Sequence, residues 1–487
     1  MSFPSSPVYE NLFHRRAEFS LNVVVVGGSI AGLSAAYNLK QAGHDVRVLE
    51  KSDGELKFSA GVRVPPNMAK LMMHWGIGEQ LRRKSVTCPK IDFIDDLTGE
   101  RLAIIAYHKE LMKELQADVY NLPYADLHEM IRDLVLRSGV KIDYNVTVVD
   151  VDVDAPSVLL ESGETIHADL IVGADGAHSL VRQKLVGHKE KQEVGFQTAQ
   201  FFLIPINKLR DDPLLAPLIK DGTWSLWTGT LRCILGYVAS PEYYAMSWTA
   251  PESSTRPGWT ETIPLRRSYF SDAEERLQRL ASFFDQGIET QHLIQESLES
   301  WYSDKGKVVL VGNSVHVTNP GSMNEAALSV EDGAVLGSLL SRLRTNSTEE
   351  ILRFLAAYQE VRQGHCVAIL QTDVELLTFS SLPPGPARDE RNEGFKKTSQ
   401  NQALDWENVD EDVLRSAWEE FRSSFGYEAY DAADDWWIDW GVLVLRLGSV
   451  VAAESDSGSE NGTQSRGART SIINGLQKET IVTTIEN

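Results

Sequence analysis

The chain has 487 residues with 47 Lys and Arg against 69 Asp and Glu, and a net charge of -22 at pH 7 excludes a nucleic-acid backbone or an anionic membrane surface as its partner. Hydrophobic residues at 42% and charged residues at 24% are ordinary globular values, and this length predicts two or three domains with large cores. Cys88, Cys233 and Cys366 form no C-x-x-C pair, which fits neither a disulfide framework nor a zinc site and predicts a reducing, cytoplasmic setting.

The opening MSFPSSPVYENLFHRRAEFS lacks the apolar core of a signal peptide. The apolar stretch from Trp436 to Ala453 is broken by Asp439 and Arg446, so no membrane span is expected. Val23–Val26 and Val46–Leu49 read as short buried strands, with helical spacing over Ala31–Gln41 between them, which makes a βαβ start. From about Val194 to Ser247 the chain is rich in aromatic and β-branched residues, with turns at Asp221-Gly222 and Ser240-Pro241, and predicts antiparallel sheet. Asp272–Phe284 and Glu289–Leu298 read as helices. Ser381-Leu-Pro-Pro-Gly-Pro386 ends a helical pattern. Residues 401–440 then hold 12 acids against 2 arginines and 5 of the 11 tryptophans, a distinct acidic segment. Residues 452–487 lack aromatics and are expected to be disordered.

Three segments carry chemistry. In the first, the strand ending at Val26 runs into Gly27-Gly28-Ser29-Ile30-Ala31-Gly32 and then a helix, with Glu50 closing the second strand. Gly27 permits the tight turn, Gly32 lets helix and strand approach, and the helix N-terminus can receive a pyrophosphate. Ser29 stands where the fingerprint has its middle glycine, and Glu50 is placed to accept from an adenosine ribose. The second segment, Gly173-Ala174-Asp175-Gly176, follows another apolar strand, and the third is Val308–Val311 with Gly312-Asn313, then Asn319-Pro320-Gly321 and a helix from about Asn324 to Leu340.

Together with Gly61-Val62-Arg63-Val64-Pro65-Pro66-Asn67 and Tyr124-Ala125-Asp126-Leu127-His128, these segments resemble the class A FAD-dependent aromatic hydroxylases, in the salicylate-hydroxylase-like branch, over roughly residues 20–380. The resemblance implies an α/β fold: a Rossmann-like FAD-binding domain from residues 20–85, 120–190 and 300–380, and an antiparallel-sheet substrate domain from 86–119 and 191–299. An acidic, Trp-rich C-terminal helical extension over 387–451 and the tail 452–487 follow. It implies FAD as cofactor, NAD(P)H as co-substrate, and hydroxylation of a phenolic or aromatic-acid substrate by O2 through a C4a-hydroperoxyflavin. The cofactor residues implied are Gly27, Ser29, Gly32, Glu50, Gly61, Arg63, Tyr124, Asp175, Asn313 and Ala326. Trp224, Trp227, Arg232 and Tyr237 are expected on the substrate floor, with Arg232 gripping a carboxylate and Tyr237 orienting or deprotonating a phenol, although each aromatic also suits an ordinary core position. Self-association as a homodimer stays open. An oxidase, epoxidase or Baeyer-Villiger enzyme, or a flavin-fold binding protein without catalysis, would share the scaffold.

The chain departs from the family where cofactor contacts are expected. Tyr124 stands for an arginine, Asn313 for an aspartate, and Asn324-Glu325 for a Gln-Gly pair. The first two changes remove a cation and weaken a charge-assisted bond. Glu325 adds a carboxylate near the pyrimidine end of the flavin, where it is expected to lower the reduction potential.

Overall fold

The computed structural model describes residues 15–56, 59–188, 190, 193–251, 258–402 and 411–441. The expected tail at 452–487 lies outside the described residues, as do 403–410 and 442–451 of the acidic extension. The chain forms two compact units, 1–435 and 436–487. Among the described residues, no helix is long and apolar enough to cross a membrane.

The fold is mixed α/β. A five-stranded parallel sheet has the spatial order Val308–Leu310, Leu170–Gly173, Asn22–Val26, Asp45–Leu49, Lys141–Asp143. The run Val23–Val26 is buried throughout, as strands covered on both faces require. The chain leaves Asn22–Val26 in one direction for the fourth and fifth strands of that order and returns to its other side for Leu170–Gly173, which makes a topological switch point. Ligands of such sheets bind in the crevice outside the strand carboxyl ends at that point. Ala174 N donates to Val26 O at 2.8 Å and Val311 N to Gly173 O at 3.0 Å, so all three Gly-containing turns emerge side by side.

An eight-stranded sheet stands against this part, in the order Gly258–Pro264, Gln286–Ile294, Glu193–Pro205, Tyr243–Ala250, Cys233–Val238, Trp224–Thr228, Lys90–Asp95, Arg101–Ala106. It is antiparallel except where Trp224–Thr228 runs parallel to Lys90–Asp95. One face packs Trp227, Trp248, Tyr244 and Phe202 with the short helix Glu275–Ala281, and the other carries Trp224, Leu235, Tyr237 and Ala245. Strand alternation therefore divides the expected substrate floor, because Trp224 and Trp227 point to opposite faces.

Glu289–Leu298, read from composition as a helix, is mostly strand instead. Gln286–Ile294 lies between two other strands and pairs with Glu193–Pro205 from Glu193↔Ile294 to Phe201↔Ile288. Pairing on both edges overrides the helical preference of its Glu, Gln and Leu residues. The Pro-rich break behaves as expected: the helix Thr348–Ser380 stops there, and the next begins on Pro386.

The acidic segment up to Asp435 belongs to the first unit. Tyr427 stacks on His365 at 3.9 Å between ring centroids. The Tyr430 hydroxyl accepts from Trp75 Nε1 at 2.7 Å and donates to Asn38 Oδ1 at 2.6 Å, while Asp434 accepts from Arg15 at 2.7 Å and from Arg342. Asn38 lies on the helix Ile30–Gln41, so this strap fastens the back of the layer that carries the parallel sheet.

Candidate active site

The first turn has the geometry its glycines predict. Gly27 has φ +106°, and a Cβ there would lie 2.3 Å from Ala174 O; one on Gly32 would lie 1.9 Å from Gly27 O. Only glycine lets strand, turn and helix meet this closely. Glu50 accepts from Gly28 N at 2.7 Å through one carboxylate oxygen and from Ser52 N at 2.8 Å through the other. Ser29 is exposed and makes no side-chain bond to the first turn of its helix, which leaves a phosphate approach open.

Tyr124 reaches the same helix start. Its backbone N–H donates to Ala60 O at 2.8 Å, and its hydroxyl accepts from the Ile30 backbone N–H. An arginine, with no acceptor, could not cap that amide. Burial raises the Tyr124 phenol, and the Glu325 and Glu50 carboxylates push it in the same direction. Below it, His128 bonds Gly28 O through Nε2 at 2.9 Å.

Asp175 and Asn313 tie the second and third turns together. Asp175 accepts from Leu180 N at 2.7 Å, from the Ser179 hydroxyl, and from Ser314 Oγ at 3.2 Å, so it caps the helix Leu180–Val186 and anchors the third turn. Asn313 donates through Nδ2 to Glu325 Oε1 at 3.0 Å. Burial pushes the Glu325 carboxyl up to about 7 against the pull of that bond. At neutral pH it is divided between acid and carboxylate, so the full negative charge expected from sequence is only partly present. Ala326 sits in the first turn of the helix Glu325–Leu340, whose N-cap Asn324 makes no side-chain cap bond. Behind the turn, Asp332 accepts from Gly312 N at 2.8 Å and from Arg362 Nε at 2.8 Å, and pairs with His316 at 2.6 Å.

The strand Gly61–Val64 brings this layer onto the large sheet. A Cβ on Gly61 would lie 2.5 Å from the Tyr237 hydroxyl, so this strand and the large sheet touch directly. Burial pushes the Tyr237 phenol up to about 12, which opposes its use as a base near neutral pH and leaves it a neutral hydroxyl. Arg63 donates to Gly321 O and lies over the Trp224 ring at 5.5 Å. Phe421 and Phe425 of the C-terminal helix Glu411–Phe425 extend this aromatic wall through Tyr107, at 5.7 and 6.3 Å.

Arg232 departs from its expected role. It pairs with buried Asp96, and its Nη1 donates to Tyr269 O at 2.7 Å and Asp272 at 2.8 Å. None of these partners lines the site, because Arg232 follows the turn leaving Trp224–Thr228 and serves an ion-pair cluster at that end of the sheet. Asp373, which accepts from Asn324 Nδ2 at 3.2 Å and from the Ser322 hydroxyl, gave no signal in the sequence: it lies about fifty residues away on the helix Thr348–Ser380. Between the layers is a cavity of about 640 Å3, lined among others by Ser59, Pro123, His128, Arg132, Phe201 and Ile288. That volume is within the range of small-molecule sites, roughly 300–1,000 Å3.

The model of the FAD binding domain family matches residues 20–373. The FAD-dependent monooxygenase OpS4 of Beauveria bassiana is 26% identical over 427 residues, covering 85% of this chain and 96% of that protein. A 3-hydroxybenzoate 6-hydroxylase of Klebsiella oxytoca is 25% identical, covering 73% and 88%. Among solved structures, a point variant of HpxO of Klebsiella pneumoniae complexed with FAD aligns with a TM-score of 0.66 at 21% identity, covering 83% of this chain and 99% of that one. The fold, the three converging turns and these matches define a flavoprotein monooxygenase, with FAD as cofactor. The chain belongs to the FAD-binding-domain family that contains the class A aromatic hydroxylases.

The residues present fit that cofactor. The uncapped helix start at Ser29 and the Gly28 cradle, where a Cβ would meet the Glu50 side chain at 3.1 Å, suit the adenosine diphosphate half. The uncapped first turn at Ala326 suits the ring half.

Proposed function

We propose that this protein is an NAD(P)H-dependent hydroxylase of an aromatic substrate, with the discontinuous domain of residues 20–85, 120–190 and 300–380 holding FAD and residues 86–119 and 191–299 supplying the substrate face. The observation that carries this reading is the direct contact of Gly61 with Tyr237, which sets a cofactor strand against an aromatic sheet face. Bound FAD supplies the electron store that NAD(P)H fills and the O2 chemistry that delivers one oxygen to a ring.

The chain's own residues bind, orient and exclude water. Gly28, Ser29 and Glu50 hold the adenosine diphosphate half. Asn313 and the first-turn amides at Ala326 receive the ribityl and pyrimidine parts. Arg63, pinned between Gly321 O and Trp224, holds the cofactor strand against the wall. The neutral Tyr237 hydroxyl orients a substrate oxygen by a hydrogen bond and does not take its proton. The ring stack of Trp224, Tyr107, Phe421 and Phe425 keeps water from the reacting ring.

The test is spectroscopic. Purified protein should be yellow with bound FAD, anaerobic NADH or NADPH should bleach it, and 18O2 should label an aromatic product. A colourless protein that takes up no FAD would replace this reading with the binding-protein alternative.

A further inference from the structure

Asn319-Pro320-Gly321-Ser322 is a type II turn. Proline takes its second position, Gly321 its third with φ +74°, and Ser322 N donates to Asn319 O at 2.9 Å. The turn is pressed against the large sheet: a Cβ on Gly321 would lie 2.8 Å from Phe201 Cε1, and Phe201 lines the cavity. Asn319 is 7% exposed, and both its amide nitrogen and its amide oxygen are buried without a hydrogen-bond partner. So unfavourable a group calls for a partner that the chain itself does not supply. A primary amide offers a donor and an acceptor side by side, and its complement is a neutral pair of the opposite order.

The charges nearby oppose an anionic ligand. Arg63 is committed to Gly321 O and to the face of Trp224, and Arg232 to Asp96 and Asp272. The carboxyls of Glu325 and Asp373 flank the turn, the latter holding Ser322 and Asn324. A carboxylate would find Arg63 and Arg232 already committed, Arg132 of the cavity set beside the carboxyls of Asp126 and Glu129, and only a second acceptor in the Asn319 oxygen.

We propose that Asn319 determines substrate specificity, and that the preferred substrate is an uncharged aromatic carrying an adjacent donor and acceptor, such as a lactam, in place of an aromatic carboxylate. This rests on the hydroxylase reading for the place of the substrate. A buried amide built to be completed by a ligand discriminates strongly against analogues that leave it unpaired.

The test uses the protein as purified and three bicyclic probes of similar shape: 2-quinolone, quinoline and quinoline-2-carboxylate. Affinity is read from tryptophan quenching and, where flavin is bound, from its absorbance change, so turnover is not required. The expected result is that 2-quinolone binds at least tenfold more tightly than either other probe. Asn319→Leu should erase its advantage over quinoline while leaving quinoline itself within twofold. The isosteric Asn319→Asp, the second variant should Asn319→Leu fail to fold, should weaken 2-quinolone tenfold. Tightest binding of the carboxylate overturns the proposal, as does absence of a 2-quinolone preference or its survival in a folded variant, which would mean that buried water completes the amide. NAD(P)H reduction of the flavin is followed in the same samples. Its failure with the lactam preference intact removes the hydroxylase reading and leaves the recognition residue standing.

Discussion

Glu325→Gln isolates the effect of one partly buried carboxyl. Asn313 Nδ2 donates to Glu325 Oε1 at 3.0 Å, and a glutamine oxygen can accept the same bond, so the substitution removes charge with little change of shape. Burial moves the wild-type carboxyl from 4.5 to about 7. Between those values the native chain holds a proton that the unfolded chain has released, so native stability falls as pH rises from 4.5 and levels off above about 7. At about 1.4 kcal/mol per pH unit the ceiling is near 3 kcal/mol, and solvent screening of this partly exposed group reduces it to roughly 1–2 kcal/mol. Thermal unfolding of the cofactor-free protein from pH 5 to 8.5 provides the assay. Wild type and Glu325→Gln should melt together at the acid end and diverge by a few degrees at the alkaline end, the variant being the more stable. A difference that does not change with pH would refute the argument, because it would place the titrating group elsewhere.

Four further outcomes follow from the same contacts. Glu50→Ala removes the acceptor of the Gly28 and Ser52 amides, so FAD affinity should fall about tenfold in a titration while the circular dichroism spectrum is kept. Asn313→Asp faces Glu325 with a second carboxyl and should cost about 1–2 kcal/mol at pH 8 but much less at pH 5, without tightening FAD; equal melting shifts at both pH values would count against it. Arg232→Ala strands Asp96, which is 1% exposed, and should destabilise the fold by roughly 3–5 kcal/mol with the substrate KM unchanged. A raised KM with intact stability would return Arg232 to the substrate. Tyr430→Phe deletes the bonds to Trp75 and Asn38 and should cost about 1–2 kcal/mol in urea unfolding, whereas an unchanged midpoint would show that the C-terminal strap contributes nothing there.

The sequence by itself determined what depends on neighbours along the chain. Val23–Val26, the turn at Gly27, the approach at Gly32 and the acid at Glu50 form one βαβ unit, and its geometry follows from local sterics and hydrogen bonding. The break at Pro383 to Pro386 is equally local, because proline lacks the donor a helix interior needs. Tertiary structure decided the rest. Gln286–Ile294 is a strand because partners distant in sequence pair with both its edges, and no local propensity encodes them. Trp224 and Trp227 share a strand but not a face, and only the placement of the second layer tells which one meets the cofactor strand. Arg232 was chemically suited to a carboxylate, yet Asp96 and Asp272 reach it first, from positions more than a hundred residues before it and forty after it. The ionisation of Glu325 and the unpartnered amide of Asn319 are properties of enclosure. They arise when helix, turn and sheet close over groups that in an extended chain would face water.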